Sequence, residues 1–332
     1  MTIKVAIIGV GAMGRNHARV YSEIPGTEIV GVADINMQAA ADVSRRYGGR
    51  AYADYLRMLD EQKPEALSIV VPTADHHGVA LQVIRRGIHL LVEKPLAFTL
   101  QEGQEIIKAA ESNGVKLMVG HIERFNPAVI ALREHLSSGE LGRAFQIDAH
   151  RQGPFPARVR DVGVVIDLAV HDLDIMRYVT GSEIVRVYAE TQRRIHTERE
   201  DLLSGMVRFA DDTVGTLTTN WLTPTKIREV YVTGERGMFR VDYLTQDLYF
   251  YENAVANGGD WATIQVLRGV SEGPMIRYAI AKKEPLRSEL ESFLAAVQEK
   301  TSVTVTGLDG LKAIELAQAL VTSGLDHRVV FI

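Results

Sequence analysis

The sequence predicts an α/β protein of two domains. A doubly wound parallel sheet occupies residues 1–122, and an α/β domain with a large, mostly antiparallel open sheet occupies 123–332. Three observations predict it. Short apolar runs alternate with amphipathic helical stretches through the first third of the chain, as in a parallel sheet covered on both faces. A Gly-x-Gly-x-x-Gly, Gly9 to Gly14, joins the first of these runs to the first helical stretch. The rhythm changes after Gly120, and from residue 184 strand patterns follow one another with little helix and frequent turn signals between them.

Composition narrows the class. At 332 residues the chain is long for a single core. Its 37 basic and 42 acidic residues give a net charge of −5 with no long run of either sign. That balance disfavours nucleic acid or an anionic membrane as partner. No cysteine is present, which excludes disulfides, thiol nucleophiles and cysteine-bound metals. No apolar stretch approaches the roughly 20 residues needed to cross a bilayer. The N-terminal apolar run is too short for a secretory signal, so a cytoplasmic protein is expected.

Taken in order, 4–8 reads as a strand, 12–24 as a helix and 28–33 as a strand. Helical patterns cover 37–47 and 54–61. The strand 67–71 precedes a helix over 76–86 stopped by Gly87. The strand 89–92 precedes a helix over 100–112 stopped by Gly114, and 116–119 is the last strand of the series. Beyond it come a helix over 126–136, an extended segment over 144–150, a polar arginine-bearing loop over 152–161 and a helix near 165–178. Strands are expected over 184–191, 202–209, 213–219, 227–233, 237–241 and 247–251, with closing helices over 286–298 and 308–323 that pack on either domain.

The glycine motif follows a strand and opens a helix, the context in which it holds a dinucleotide. Gly9 permits the tight turn, Gly11 lets backbone approach a pyrophosphate, and Gly14 lets helix and strand pack closely. Ala12 and Met13 begin the helix whose N–H groups face the anion. Asp34 ends the second strand at the spacing of a ribose-binding acid, and no arginine follows it to hold a 2′-phosphate. NAD is therefore expected over NADP. In such sheets the ligand lies beyond the carboxyl ends of the strands. This directs attention to Pro72, Thr73 and His76 after one strand, Glu93 and Lys94 after another, and the His121–Pro127 segment, with Arg124 and Asn126, after a third. Pro95 restricts Lys94 to an extended or turn backbone.

A second constellation lies at Asp167 and His171, four apart in a helical pattern and so on one face. A carboxylate that orients an imidazole suits general acid/base work near neutral pH. Asp172 and Asp174 point to other faces, so no metal site is expected. Arg151, Arg158 and Arg160 precede this helix. They either meet an anionic group or sit on a solvated loop, and Phe155 either lines a pocket or pins that loop.

Together GVGAMGRNHARVY, PTADHHGVAL, VEKPLAFT, DLAVH and PLRSELESF resemble the glucose–fructose oxidoreductase/inositol dehydrogenase/rhizopine-catabolism (Gfo/Idh/MocA) family over essentially the whole chain. The resemblance implies a Rossmann domain, an open-sheet domain used for assembly into a homodimer or homotetramer, and NAD as cofactor. It also implies a cis peptide at Lys94–Pro95, a catalytic Lys94 and an acid/histidine pair at Asp167 and His171. Many members have glycine where this chain has Ala169. The mechanism the resemblance implies is hydride transfer between a carbinol carbon and nicotinamide C4, with His171, oriented by Asp167, or Lys94 as the formal base. Within the family, the 151–181 segment and HIERFNPAV are most similar to nucleotide-sugar 3-dehydrogenases acting on UDP-N-acetylglucosamine or its uronic acid. Arg124, Asn126 and Arg158 are therefore expected at the substrate beside Asp167 and His171. The alternatives are a polyol or free-sugar dehydrogenase and a dinucleotide-binding sensor without turnover.

Overall fold

The structure is a computed structural model that describes residues 2–156, 162–195, 198–254 and 272–332. Arg158 and Arg160 lie outside the described residues. The chain divides into two units, Met1–Phe125 with Glu284–Glu315, and Asn126–Lys283 with Leu316–Ile332. The break expected after residue 122 falls after Phe125, and Glu284–Glu315, within the closing helices expected on either domain, belongs to the first unit. The reason is apolar: Leu286, Leu290, Phe293 and Leu294 are buried in the first unit's core.

The first unit holds β1 (Ile3–Ile8), β2 (Thr27–Ala33), β3 (Arg50–Tyr52), β4 (Ala66–Ile69), β5 (His89–Glu93) and β6 (Leu117–Gly120). They lie in the order β3-β2-β1-β4-β5-β6 and every neighbouring pair is parallel. This is a doubly wound sheet whose switch point falls between β1 and β4, where such sheets bind their ligands. The helices are α1 (Ala12–Glu23), α2 (Met37–Tyr47), α3 (Tyr55–Gln62), α4 (Thr73–Ile84) and α5 (Leu100–Ser112). Three of them start at side-chain caps: Asn36, Asp54 and Thr99 accept from the backbone N–H groups of Ala39, Leu56 and Glu102. Such caps satisfy donors that a helix start otherwise leaves open.

In the second unit β7 (Ala144–Pro154), β8 (Ile184–Gln192), β9 (Leu202–Phe209), β10 (Val214–Asn220), β11 (Leu222–Gly234), β12 (Gly237–Asp242), β13 (Asp247–Asn253), β14 (Glu272–Arg277) and β15 (Val330–Phe331) form one sheet. Their order is β14-β13-β12-β11-β7-β10-β9-β8-β15. All neighbours are antiparallel except β7 and β10, which run parallel. Cross-strand register lines Val187, Val207, Ile147, Val232, Phe239 and Phe250 along one buried face. The neighbouring row, with Met206, Asp148, Tyr231, Arg240 and Tyr249, faces the other way and stays partly open. Helices α6 (Pro127–Ser137) and α7 (Val170–Thr180) pack on the buried face, while α8 (Pro285–Val297) and α9 (Gly307–Asp326) close the chain. No helix among the described residues is long and apolar enough to cross a membrane.

Candidate active site

The glycine loop sits at the switch point, tightly enough to exclude side chains. Gly9 has φ +91°, and a Cβ there would lie 2.5 Å from the Val70 carbonyl oxygen at the end of β4. A Cβ on Gly14 would lie 2.0 Å from the Gly9 carbonyl oxygen. At Gly11, by contrast, nothing lies within 4 Å of a built Cβ, so the backbone there faces open space. Gly11 is also the N-cap of α1, which has no side-chain cap and no acidic residue in its first turn. Exposed Ala12 and half-buried Met13 follow it. A helix start left without a cap, behind a backbone open on one side, fits a pyrophosphate.

Asp34 completes the cradle. One carboxylate oxygen accepts the Val10 N–H at 2.8 Å and the other accepts the Asn36 N–H at 2.8 Å. These bonds fix the carboxylate beside the glycine loop, and each oxygen keeps a lone pair for a ribose hydroxyl. Half-buried Asp34 and fully exposed Ile35 offer no cation to a 2′-phosphate. The residues present therefore fit NAD.

At the end of β5 the chain turns through a cis Lys94–Pro95 peptide. Glu93 is buried and Lys94 half-buried. The Glu93 carboxylate contacts His17 Nε2 at 3.0 Å and accepts the Lys94 N–H at 3.2 Å. His17 Nδ1 lies 3.0 Å from the Ser68 hydroxyl, which is 2.9 Å from the Tyr21 hydroxyl. Burial pushes the Glu93 carboxyl up, but the His17 contact and the neighbouring His17 and Lys94 charges more than offset it, and it ends below the usual range. Sequence reasoning missed His17 and Tyr21. Both fall on the buried stripe of α1 at i and i+4, and a histidine on an apolar stripe is the signal that reveals them.

Several expectations change here. His76, expected at the cofactor, is buried between the Pro95 and Val71 carbonyl oxygens at 2.8 and 2.9 Å. It ties the turn after β4 to the turn after β5, and burial pushes its pKa down. Glu93 likewise faces His17 in the interior. Pro72 and Thr73 open α4 beyond β4, with Pro72 exposed. Arg124, expected at the substrate, is 6% exposed in a short 3₁₀ turn (Ile122–Phe125) and pairs with Asp309 at 2.9 Å. Asn126 is buried: its amide donates to the Tyr243 carbonyl and its oxygen caps α6. Arg151 is neither on a solvated loop nor open to a ligand. It lies within β7, which runs three residues into the expected loop, and its guanidinium pairs with buried Asp172 at 2.9 Å. Phe155 packs edge-on against Trp221, ring centroids 5.6 Å apart.

The second constellation stands in the second unit. Residues Val165–Ala169 form a single π-helical turn that runs directly into α7. Asp167 is buried on that turn, with its N–H donating to the Gly163 carbonyl at 3.0 Å, and His171 is half-buried in the first turn of α7. The expected plain helix is thus locally widened. Such turns occur mostly as isolated bulges and often at functional sites.

Known proteins match this arrangement. Residues 3–121 match the model of the oxidoreductase family with an NAD-binding Rossmann fold, and residues 129–240 match the GFO/IDH/MocA C-terminal domain. The UDP-N-acetylglucosamine 3-dehydrogenase of Acidithiobacillus ferrooxidans is 30% identical over 95% of this chain and 95% of its own. A solved structure of the enzyme of that name from the same organism superposes with a TM-score of 0.84 at 28% identity, covering 97% of each chain. An inositol 2-dehydrogenase of Rhizobium meliloti is 25% identical over the full length of both chains. With both parts matched in order, and a cradle at the switch point that fits the cofactor, the chain belongs to the GFO/IDH/MocA family of NAD-binding oxidoreductases.

Proposed function

We propose that the protein is an NAD-preferring dehydrogenase that oxidises a secondary alcohol of a nucleotide sugar, with C3 of UDP-N-acetylglucosamine as its target. The observation that carries the chemistry is Lys94: it directly follows β5 at the carboxyl edge of the sheet that bears the glycine loop, with its N–H held by Glu93. What supports the substrate is the near end-to-end alignment with a UDP-N-acetylglucosamine 3-dehydrogenase.

Bound NAD supplies the hydride acceptor, nicotinamide C4. In the reaction proposed, the carbinol C–H bond breaks with its electron pair leaving as hydride, and the hydroxyl proton passes to His171, oriented by Asp167. Lys94 donates a hydrogen bond to the oxygen as it becomes a carbonyl. Such a donor is worth most where charge develops in a dry site. The glycine loop and Asp34 hold the cofactor and leave the proton to these side chains.

A polyol dehydrogenase is the second reading, favoured by the full-length match to an inositol 2-dehydrogenase. Incubation with NAD and a panel of UDP-sugars, free sugars and inositols, read by absorbance of the reduced cofactor, separates the two. Turnover of inositol alone would reject the nucleotide-sugar reading, and no turnover of any member would point to the sensor. Asp34→Ala is expected to weaken NAD binding about 10- to 100-fold, the loss of hydrogen bonds to a charged acceptor. NADP binding is expected to weaken less, since the repulsive charge goes too. Titration of both cofactors checks this, and an equal loss for both would refute the preference.

The open row of the second sheet supports assembly into a homodimer or homotetramer. There Arg240 lies over Tyr231 and Tyr249, 6.0 and 5.8 Å from the ring centroids, and Met206 is 53% exposed. Replacing Met206 and Tyr249 by glutamate is expected to yield monomers in light scattering. An unchanged assembly mass would rule out this face.

A further inference from the structure

Among the described residues, Glu289 is the carboxylate whose two oxygens are both buried and both lack a hydrogen-bond partner. It stands on α8 with no exposed surface. One of its oxygens, a ring nitrogen of His17 and an oxygen of Glu93 all lie within 4.8 Å of one another. Two carboxylates this close in a dry interior do not both stay charged unless a cation lies between them. The charges around them are largely committed. From α1, His17 is shared between Glu93 and Ser68, and Tyr21 is bonded to Ser68. From β5, Lys94 follows Glu93, and from α4, His76 is held between two carbonyls. From the 3₁₀ turn come Glu123 and Arg124, the latter paired with Asp309. On α8 itself Arg287 pairs with Glu291. None of these groups hydrogen-bonds to either Glu289 oxygen, and a proton on that carboxyl neutralises it without a partner.

We propose that Glu289 is a positioning residue for Lys94: as a neutral carboxylic acid behind Glu93, it keeps a second negative charge away from the carboxylate that holds the Lys94 N–H. This rests on the reading of Lys94 as catalytic. Burial, and then the charge of Glu93, push the Glu289 carboxyl well above its usual range, in the same sense. Losing that proton would set two anions against each other. Glu93 would then recruit a proton or shift, and its grip on His17 and the Lys94 backbone would loosen.

The sign is open to measurement. A carboxyl raised in the folded state contributes its stability below its unfolded value, about 4.3, and loses it as pH rises through the folded value. Glu289→Gln is neutral at every pH. The stability of E289Q minus that of the wild-type chain should therefore rise with pH, by tenfold in the folding ratio for each unit between those two values. A difference that stays flat would overturn the protonated acid. So would the absence, in wild-type protein at neutral pH, of the infrared carbonyl band of a protonated carboxyl, a reading that needs no variant to fold. One equivalent of divalent metal in purified wild-type protein, absent from E289Q, would overturn it in favour of a metal site.

The positioning role is read from kcat. Wild-type kcat should carry an alkaline limb that moves upward in E289Q, while KM for NAD stays put. If Lys94→Ala lowers kcat but E289Q keeps the wild-type limb, the positioning role alone fails. If Lys94→Ala leaves kcat intact, the catalytic reading fails and takes positioning with it. The stability and infrared results need no turnover and judge the acid separately.

Discussion

Replacing Lys94 by alanine is expected to lower kcat by about 10²- to 10⁴-fold, the range for losing a positioned proton-handling group. NAD affinity should stay near that of the wild-type chain. The separation follows from where the parts stand. The cofactor cradle is built from β1, the start of α1 and Asp34 at the end of β2, and its bonds run between Val10, Asn36 and Asp34 without Lys94. The Lys94 side chain can be removed while its backbone N–H still meets Glu93. Steady-state kinetics with calorimetric titration of NAD would check both halves. A kcat within a few-fold of wild type would remove Lys94 from the chemistry. A joint collapse of kcat and NAD affinity would instead mark it as part of the cradle. Arginine should rescue poorly, because its planar fork does not replace a compact ammonium.

The first unit was largely legible because its physics is local. Its strands are mostly short apolar runs, with β4 and β6 buried at every position, and α2, α3 and α5 start at their own side-chain caps. β3 escaped notice because three residues carry no period. In the second unit, β11 begins at Leu222 and runs through Pro224, with a register shift before Ile227. Proline in a strand is confined to edges and bulges, so that start reads as turn. The parallel pairing of β7 with β10 was illegible for a different reason. Alternation shows which side chains share a face, whereas strand direction depends on partners distant in sequence.

The same distinction governs the site. The glycine loop and Asp34 are set by a single βαβ unit, and the spacing between them is visible in sequence. Arg124 and Asn126 are expected at the substrate because they are polar residues near a strand end, and Arg151 either at an anion or on a solvated loop. Their partners are internal: Asp309 is 185 residues from Arg124, and Asp172 is 21 from Arg151. A buried charge must be paired, and sequence alone does not reveal a partner brought by the fold. Glu289 was invisible for the same reason, since its significance comes from His17 and Glu93 on other elements.

His171→Ala should match or exceed the Lys94 loss if His171 is the group that takes the proton. The π turn bears on this expectation: it inserts Asp167 into the protein just ahead of α7 and leaves His171 half-exposed at the helix start. Asp167→Asn keeps the shape and removes the charge, so it should cost less than His171→Ala if orientation is only part of its task. Two readings of the base then separate on pH. If His171 is the base, the acid limb of kcat disappears in His171→Ala, and added imidazole restores part of the rate. If Lys94 is the base, the limb persists in His171→Ala and is lost in Lys94→Ala. The double variant decides whether the two groups act on one substrate, because groups that act as a unit are far from additive. A double variant no slower than the worse single variant would place both on one reaction coordinate. Losses that multiply would mean that each contributes on its own, and the shared proton path would have to be abandoned.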